Sequence, residues 1–138
     1  MVVYPVPTHL TFGWHFDQPI YSCIPDSVTH LTFGDNFNQP INSCIPDSIT
    51  HLIVSWKFNQ LIDGCIPDSV THLTFGWNFN QPVNNCIPDS VTHLTFGYYF
   101  DRNIDSLPDS IIDISLSRNY KGEISEKMLP KVTIRPNI

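Results

Sequence analysis

One phrase recurs along this chain at a constant step. Cys23, Cys44, Cys65 and Cys86 are each separated by 21 residues, and so are His9, His30, His51, His72 and His93. Phe16, Phe37, Phe58, Phe79 and Phe100 keep the same interval. The remaining phenylalanines, Phe12, Phe33, Phe75 and Phe96, form a second column in which Val54 is the exception. A fixed step of this size is the mark of a repeat architecture, in which each unit buries its apolar face only against its neighbours.

The unit reads as a strand followed by an extended return. In VTHLTFG, Leu31 and Phe33 alternate with His30 and Thr32, the two-residue period of a half-buried strand. The return FNQPINSCIPDS carries Pro40 and Pro46. Each removes a backbone donor and pushes the residue before it toward extended geometry, so a regular helix is excluded. The expected fold is all-β: a short right-handed parallel β-solenoid of leucine-rich-repeat type, about six coils of 21 residues with little or no helix. Columns such as Leu10, Leu31, Leu52, Leu73 and Leu94 would stack ~4.8 Å apart into a continuous core. Asn38, Asn59 and Asn80, with Asp17 and Asp101 at the ends, form a turn column whose side chains are placed to bond backbone groups of the adjacent coil.

With 138 residues there is room for one domain. The regular units occupy 1–101 and degenerate coils with a cap occupy 102–138, where one residue is missing between Phe100 and Pro108. The regular body holds one cation, Lys57, against eight acids, a net charge of −7, whereas the remainder is +1. Phosphate neutralisation needs a basic face, so nucleic acid is not an expected partner. No apolar run approaches the ~20 residues of a membrane span, and MVVYPVPTHL lacks the basic and long apolar regions of a signal peptide. The expected location is therefore intracellular and cytoplasmic, in the host cytoplasm if the protein is viral, with no membrane association.

The motifs FNQPINSCIPDSITHL and FNQPVNNCIPDSVTHLTFG resemble the FNIP repeat, a relative of leucine-rich repeats found in social amoebae and in giant viruses that infect them. The resemblance runs from about Pro7 to Ile114. It implies a parallel β-solenoid used for protein interaction. Many members join the repeats to an F-box and so act as substrate receptors of a ubiquitin ligase. This chain opens almost directly in a repeat, which leaves the reading of an adaptor without its own F-box.

Several columns could carry chemistry. His30, His51, His72 and His93 should project from the open sheet face, but the flanking Thr11, Thr32, Ile53, Thr74 and Thr95 offer nothing to complete a zinc shell, so no metal is expected. The cysteine column is expected to hold buried, reduced thiols acting as apolar fillers. Asp26, Asp47, Asp68, Asp89 and Asp109 sit in PDS turns, where a carboxylate commonly accepts bonds from nearby backbone amides. Ser27, His30 and Asp26 recur as a trio along one strand and do not converge as a triad must. No cofactor and no catalytic residue is expected.

What varies between otherwise copied units is where a partner could be read. After the glycine column come Trp14-His15, Asp35-Asn36, Trp56-Lys57, Trp77-Asn78 and Tyr98-Tyr99. The expected function is a non-enzymatic protein-interaction scaffold contacting its partner through Trp14, Trp56, Trp77, Tyr98 and Tyr99 or through the histidine column. The alternatives are the ubiquitin-pathway adaptor and a self-assembling structural protein, a homo-oligomer joined through exposed coil ends.

Overall fold

A computed structural model describes residues 1–136; the last two residues of the expected cap, 137 and 138, lie outside the described residues. The repeated strand motif forms β1 (His9–Thr11), β2 (His30–Thr32), β3 (His51–Val54), β4 (His72–Phe75) and β5 (His93–Thr95). The degenerate end adds β6 (Asp113–Ser117) and β7 (Val132–Arg135), with one 3-10 turn at Leu129–Lys131. All seven pair in parallel in the order β1 to β7, so the chain coils in one direction as a solenoid.

Register follows the period. His30 faces His51, Leu31 faces Leu52, and Val54 faces Phe75. The missing residue beyond Phe100 shortens one step, so that Leu94 pairs with Ile114 at a distance of 20 in sequence, and Ile114 then pairs with Val132 after 18. The columns survive because Ile114 and Val132 take the Leu position.

The core is the stack of these columns. Phe37, Phe58, Phe79 and Phe100 lie fully buried with ring centroids 6.1 to 6.2 Å apart. The second phenylalanine column meets the first inside each coil, with Phe33 on Phe37 at 4.1 Å and Phe75 on Phe79 at 3.9 Å. Coil three has Val54 here, so Phe58 has no ring beside it in its own coil. At the C-terminal end Tyr120 continues the stack under Phe100 at 6.2 Å, and Met128 is wholly buried.

Where the sheet ends, side chains replace the missing ladder. Asn38 Oδ1 accepts the Asn59 backbone N–H at 2.9 Å and Gln60 Nε2 at 3.0 Å; Asn59 does the same for Asn80 and Gln81. Asp17 opens this ladder by accepting from Asn38 N and Gln39 Nε2, and Asp101 closes it by accepting from Lys121 N. The adjacent glutamines are thus part of the device, which explains why the motif pairs Asn with Gln. In each PDS turn the residue after serine donates its N–H to the proline carbonyl, as Val70 does to Pro67 at 3.1 Å. Among the described residues no bond joins Asp26, Asp47, Asp68 or Asp89 to a turn amide. These carboxylates are exposed, contrary to the sequence expectation, and Asp109 instead pairs with Lys127 at 2.5 Å. The carbonyl-to-amide bond already closes the turn, which leaves its second residue free to face water.

The return bend has its own column of left-handed backbone: Ser22 at φ 47°, Ser43 at 53°, Gly64 at 65° and Asn85 at 56°. An L-residue costs roughly 1–2 kcal/mol in this region, and asparagine less than serine. Ser43→Gly is therefore expected to stabilise the chain by up to about 1 kcal/mol, measured by urea denaturation. Asn85→Gly should give less. An unchanged or lower midpoint for Ser43→Gly would show that the bend relaxes at no cost.

The cysteines stand at this bend. Cys65 alone is buried; Cys44 and Cys86 are half-buried and Cys23 is exposed, which corrects the expectation of a uniformly buried column. A left-handed residue stands just before each cysteine, and the following isoleucine fills the core in every coil; the thiol side chain lies at the rim in three of them and is covered only at Cys65. The thiols of Cys44, Cys65 and Cys86 donate back to the carbonyls of Asn42, Asp63 and Asn84 at 3.0 to 3.3 Å. All four cysteines are free.

Candidate interaction surface

Two rows of side chains line the outside of the coils. The first rises from the strands. His9, His30, His51, His72 and His93 stack face to face with centroids 4.1 to 4.3 Å apart. A bond of 2.8 to 2.9 Å between each Nδ1 and the preceding threonine Oγ1 fixes the ring plane at Thr29, Thr50, Thr71 and Thr92. The rings are half-buried from His30 to His93, and His9 at the end is exposed. Beside them a shallow groove runs between the imidazoles and Thr32, Ile53 and Thr74.

Parallel stacked rings aim their outer nitrogens the same way, and among the described residues no three histidine, cysteine or acidic side chains converge as a metal would require. Nor does the recurring trio meet. Ser27 Oγ donates to the Pro7 carbonyl at 3.0 Å, while His30 is engaged by Thr29.

Burial, and after it the charge of adjacent imidazoles, hold His51 and His72 below the ordinary histidine pKa. The unfolded chain therefore takes up protons first as the pH falls. Stability is fully present above about 6.5, the unfolded value, and is lost as the pH drops from there through the lower folded values. The melting temperature is expected to fall between about pH 7 and pH 5, with a smaller fall in His51→Gln combined with His72→Gln. Equal slopes in the two proteins would remove the stack from this account.

The second row lies just past the glycine column, where the chain leaves the sheet. Trp56, Trp77 and Tyr98 form a ladder with centroids 4.8 and 4.5 Å apart and planes within 3°. Tyr99 meets Tyr98 edge-on at 4.9 Å. These rings pack as a ladder and still face solvent: Trp56 is 48 % exposed and Tyr99 56 %. Trp14 stands apart at 64 %. Asp35 occupies the intervening position, and a cavity of about 180 Å³ opens there, lined by Trp14, Asp35, Asn36, Trp56 and Lys57. A second hollow lies at the other end of the row, between Tyr98, Tyr99, Tyr120 and Arg118.

The structure thus places the sequence-selected residues on two faces. Trp56, Trp77, Tyr98 and Tyr99 come together, His30 to His93 form a separate stack, and Trp14 is set off by the gap at Asp35. In the sequence Asp35 reads as one more variable position of the row, and the gap is missed; an acid interrupting an aromatic column was the available signal. Among the described residues no helix is long and apolar enough to cross a membrane.

Comparison with known proteins bears on the whole chain. No curated protein sequence matches it. Among solved structures it is similar to the giant-virus protein CroV588, described as a novel circular LRR protein, at 43% identity and a TM-score of 0.83. The match covers 94% of this chain and 20% of that one, so the chain spans about a fifth of the neighbour's length. The FNIP Repeat model matches residues 8–36, 20–57, 37–76, 58–99 and 79–111 in overlapping copies, which together run through the regular coils into the first degenerate one. With the repeated motif, the parallel coil and these matches in agreement, the chain belongs to the FNIP repeat family.

Proposed function

We propose that this chain is a non-enzymatic protein-interaction scaffold and that the aromatic row is its contact face. The repeat fold is of a kind typical of interaction scaffolds. The observation that carries the finer reading is the Trp56–Trp77–Tyr98 ladder. Its rings are held in one orientation by their neighbours, yet remain partly open to solvent. Preorganised tryptophan and tyrosine surfaces dominate binding because little side-chain freedom is lost on contact. Residues also differ from coil to coil here, whereas the Leu and inner Phe columns are nearly invariant. Trp56→Ala with Trp77→Ala should weaken a partner captured by the parent protein by at least about 2 kcal/mol while the coil stays folded. Affinity capture with both proteins, then titration and thermal unfolding, tests this. Unchanged affinity per folded molecule would move the contact to the histidine groove.

Self-assembly is the second reading, favoured by the two sheet edges. Among the described residues β1 pairs with β2 alone and β7 with β6 alone. Val132, Thr133 and Ile134 stand in register to continue the columns of Leu10, Thr11 and Phe12, and Ile134 is 50 % exposed. Head-to-tail stacking of copies would cover both edges. A molar mass independent of concentration by sedimentation would exclude it.

A further inference from the structure

We propose that the gap between Trp14 and Trp56 is a binding slot for a guanidinium group, filled by an arginine side chain of the partner protein. The inference rests on the aromatic row being the contact face and names the chemistry that one end of it selects. Its basis is an interrupted ladder. From Trp56 onward each ring has a neighbour one coil away, at 4.8 and then 4.5 Å. Coil two has Asp35 instead, so Trp14 and Trp56 stand two coils apart, roughly 9.6 Å at the ordinary strand spacing. One planar group inserted midway would sit about 4.8 Å from each indole, the spacing the ladder itself adopts.

Charge selects what kind of plane. Asp35 is half-buried at this position, and among the described residues its carboxylate has no hydrogen bond and no ion pair; Lys57 reaches it only through a backbone N–H to the Asp35 carbonyl at 2.9 Å. A neutral ring in the slot would strip water from that carboxylate and return nothing. A guanidinium is flat, stacks on indole faces by cation–π attraction and presents two parallel N–H donors that fit a carboxylate. A lysine ammonium carries the charge without the plane. Asn36 lines the wall with its Nδ2 held by His15 Nδ1 at 3.2 Å, which leaves its Oδ1 to accept a further N–H. Lys57 lines the other side and repels a cation, while the −7 charge of the surrounding coils attracts one.

The test is a titration of the full chain with the capped tripeptide acetyl-Gly-Arg-Gly-amide, following the indole N–H resonances. Saturable shifts at Trp14 and Trp56 but not Trp77 are expected, with a dissociation constant on the order of millimolar for so small a probe. The citrulline tripeptide, flat and uncharged, should bind at least about tenfold more weakly, and Asp35→Asn should lose the same factor for the arginine probe. The lysine tripeptide should bind more weakly than arginine, and Lys57→Gln should tighten the arginine probe. Trp14→Ala, a change at an exposed ring, should abolish the shift at Trp56 without affecting folding. Absence of saturation, equal binding of citrulline, or an unaffected Asp35→Asn would overturn the proposal. Failure of the slot is distinct from failure of the contact face. If the captured partner needs Trp56 and Trp77 but the tripeptide does not bind, the slot falls alone; if the tripeptide binds and the partner ignores both tryptophans, the slot's affinity for a guanidinium stands, but the contact face and the partner's arginine as occupant are both overturned.

Discussion

Phe58→Ala is expected to fall toward the upper end of the about 3 to 5 kcal/mol by which that change destabilises a protein. Phe58 is fully buried between Phe37 and Phe79, so its ring serves three coils at once. The cost also depends on how far neighbours can collapse into the hole. In coils two, four and five a second phenylalanine lies against the first at 3.7 to 4.1 Å and could lean inward. Coil three has Val54 there, a shorter side chain that cannot reach. Phe79→Ala, with Phe75 beside it, should therefore cost less than Phe58→Ala. Because coils are stabilised by their neighbours, loss at the centre should lower the midpoint of the whole transition rather than split it. Chemical denaturation of the two variants decides the point; equal losses would mean that the residual cavity does not govern the cost.

Gly97→Ala is expected to cost about 2 to 3 kcal/mol without removing any contact. A Cβ on Gly97 would run into the Gly76 carbonyl oxygen and stand 2.8 Å from the Trp77 Cα, and Gly76 stands over Ser55 in the same way. What it meets is backbone of the preceding coil, which cannot rotate aside as a side chain could. The coils would have to part at the point where the chain leaves the sheet and the aromatic row begins, so the Trp77–Tyr98 stacking should loosen as well. Gly13 provides the control: a methyl group added there would have nothing within 4 Å, and Gly13→Ala should be nearly silent. Thermal unfolding with tryptophan emission reads both effects. A Gly97→Ala protein as stable as Gly13→Ala would show that the coil spacing is elastic.

Much of this architecture is contained in the period of 21. A constant step makes residue i the neighbour of i + 21, and parallel pairing then builds the Leu, Phe, His and Asn columns with no further information. The prolines exclude helix from the return, and the missing residue beyond Phe100 foretells the shortened coil. The period carries no information on which way a side chain turns at the bend, because that depends on backbone dihedrals that several residue types can adopt. Ser22, Ser43 and Asn85 take the left-handed region as Gly64 does, yet Cys65 is buried while the other three cysteines are not, so the bend and the packing around each coil together set the exposure of the thiols. The same limit hid the gap at Asp35. Sequence shows an acid in an aromatic column, but only the tertiary structure leaves that carboxylate unpaired between Trp14 and Trp56, since the height of one coil, not the identity of one residue, sets the width of the slot.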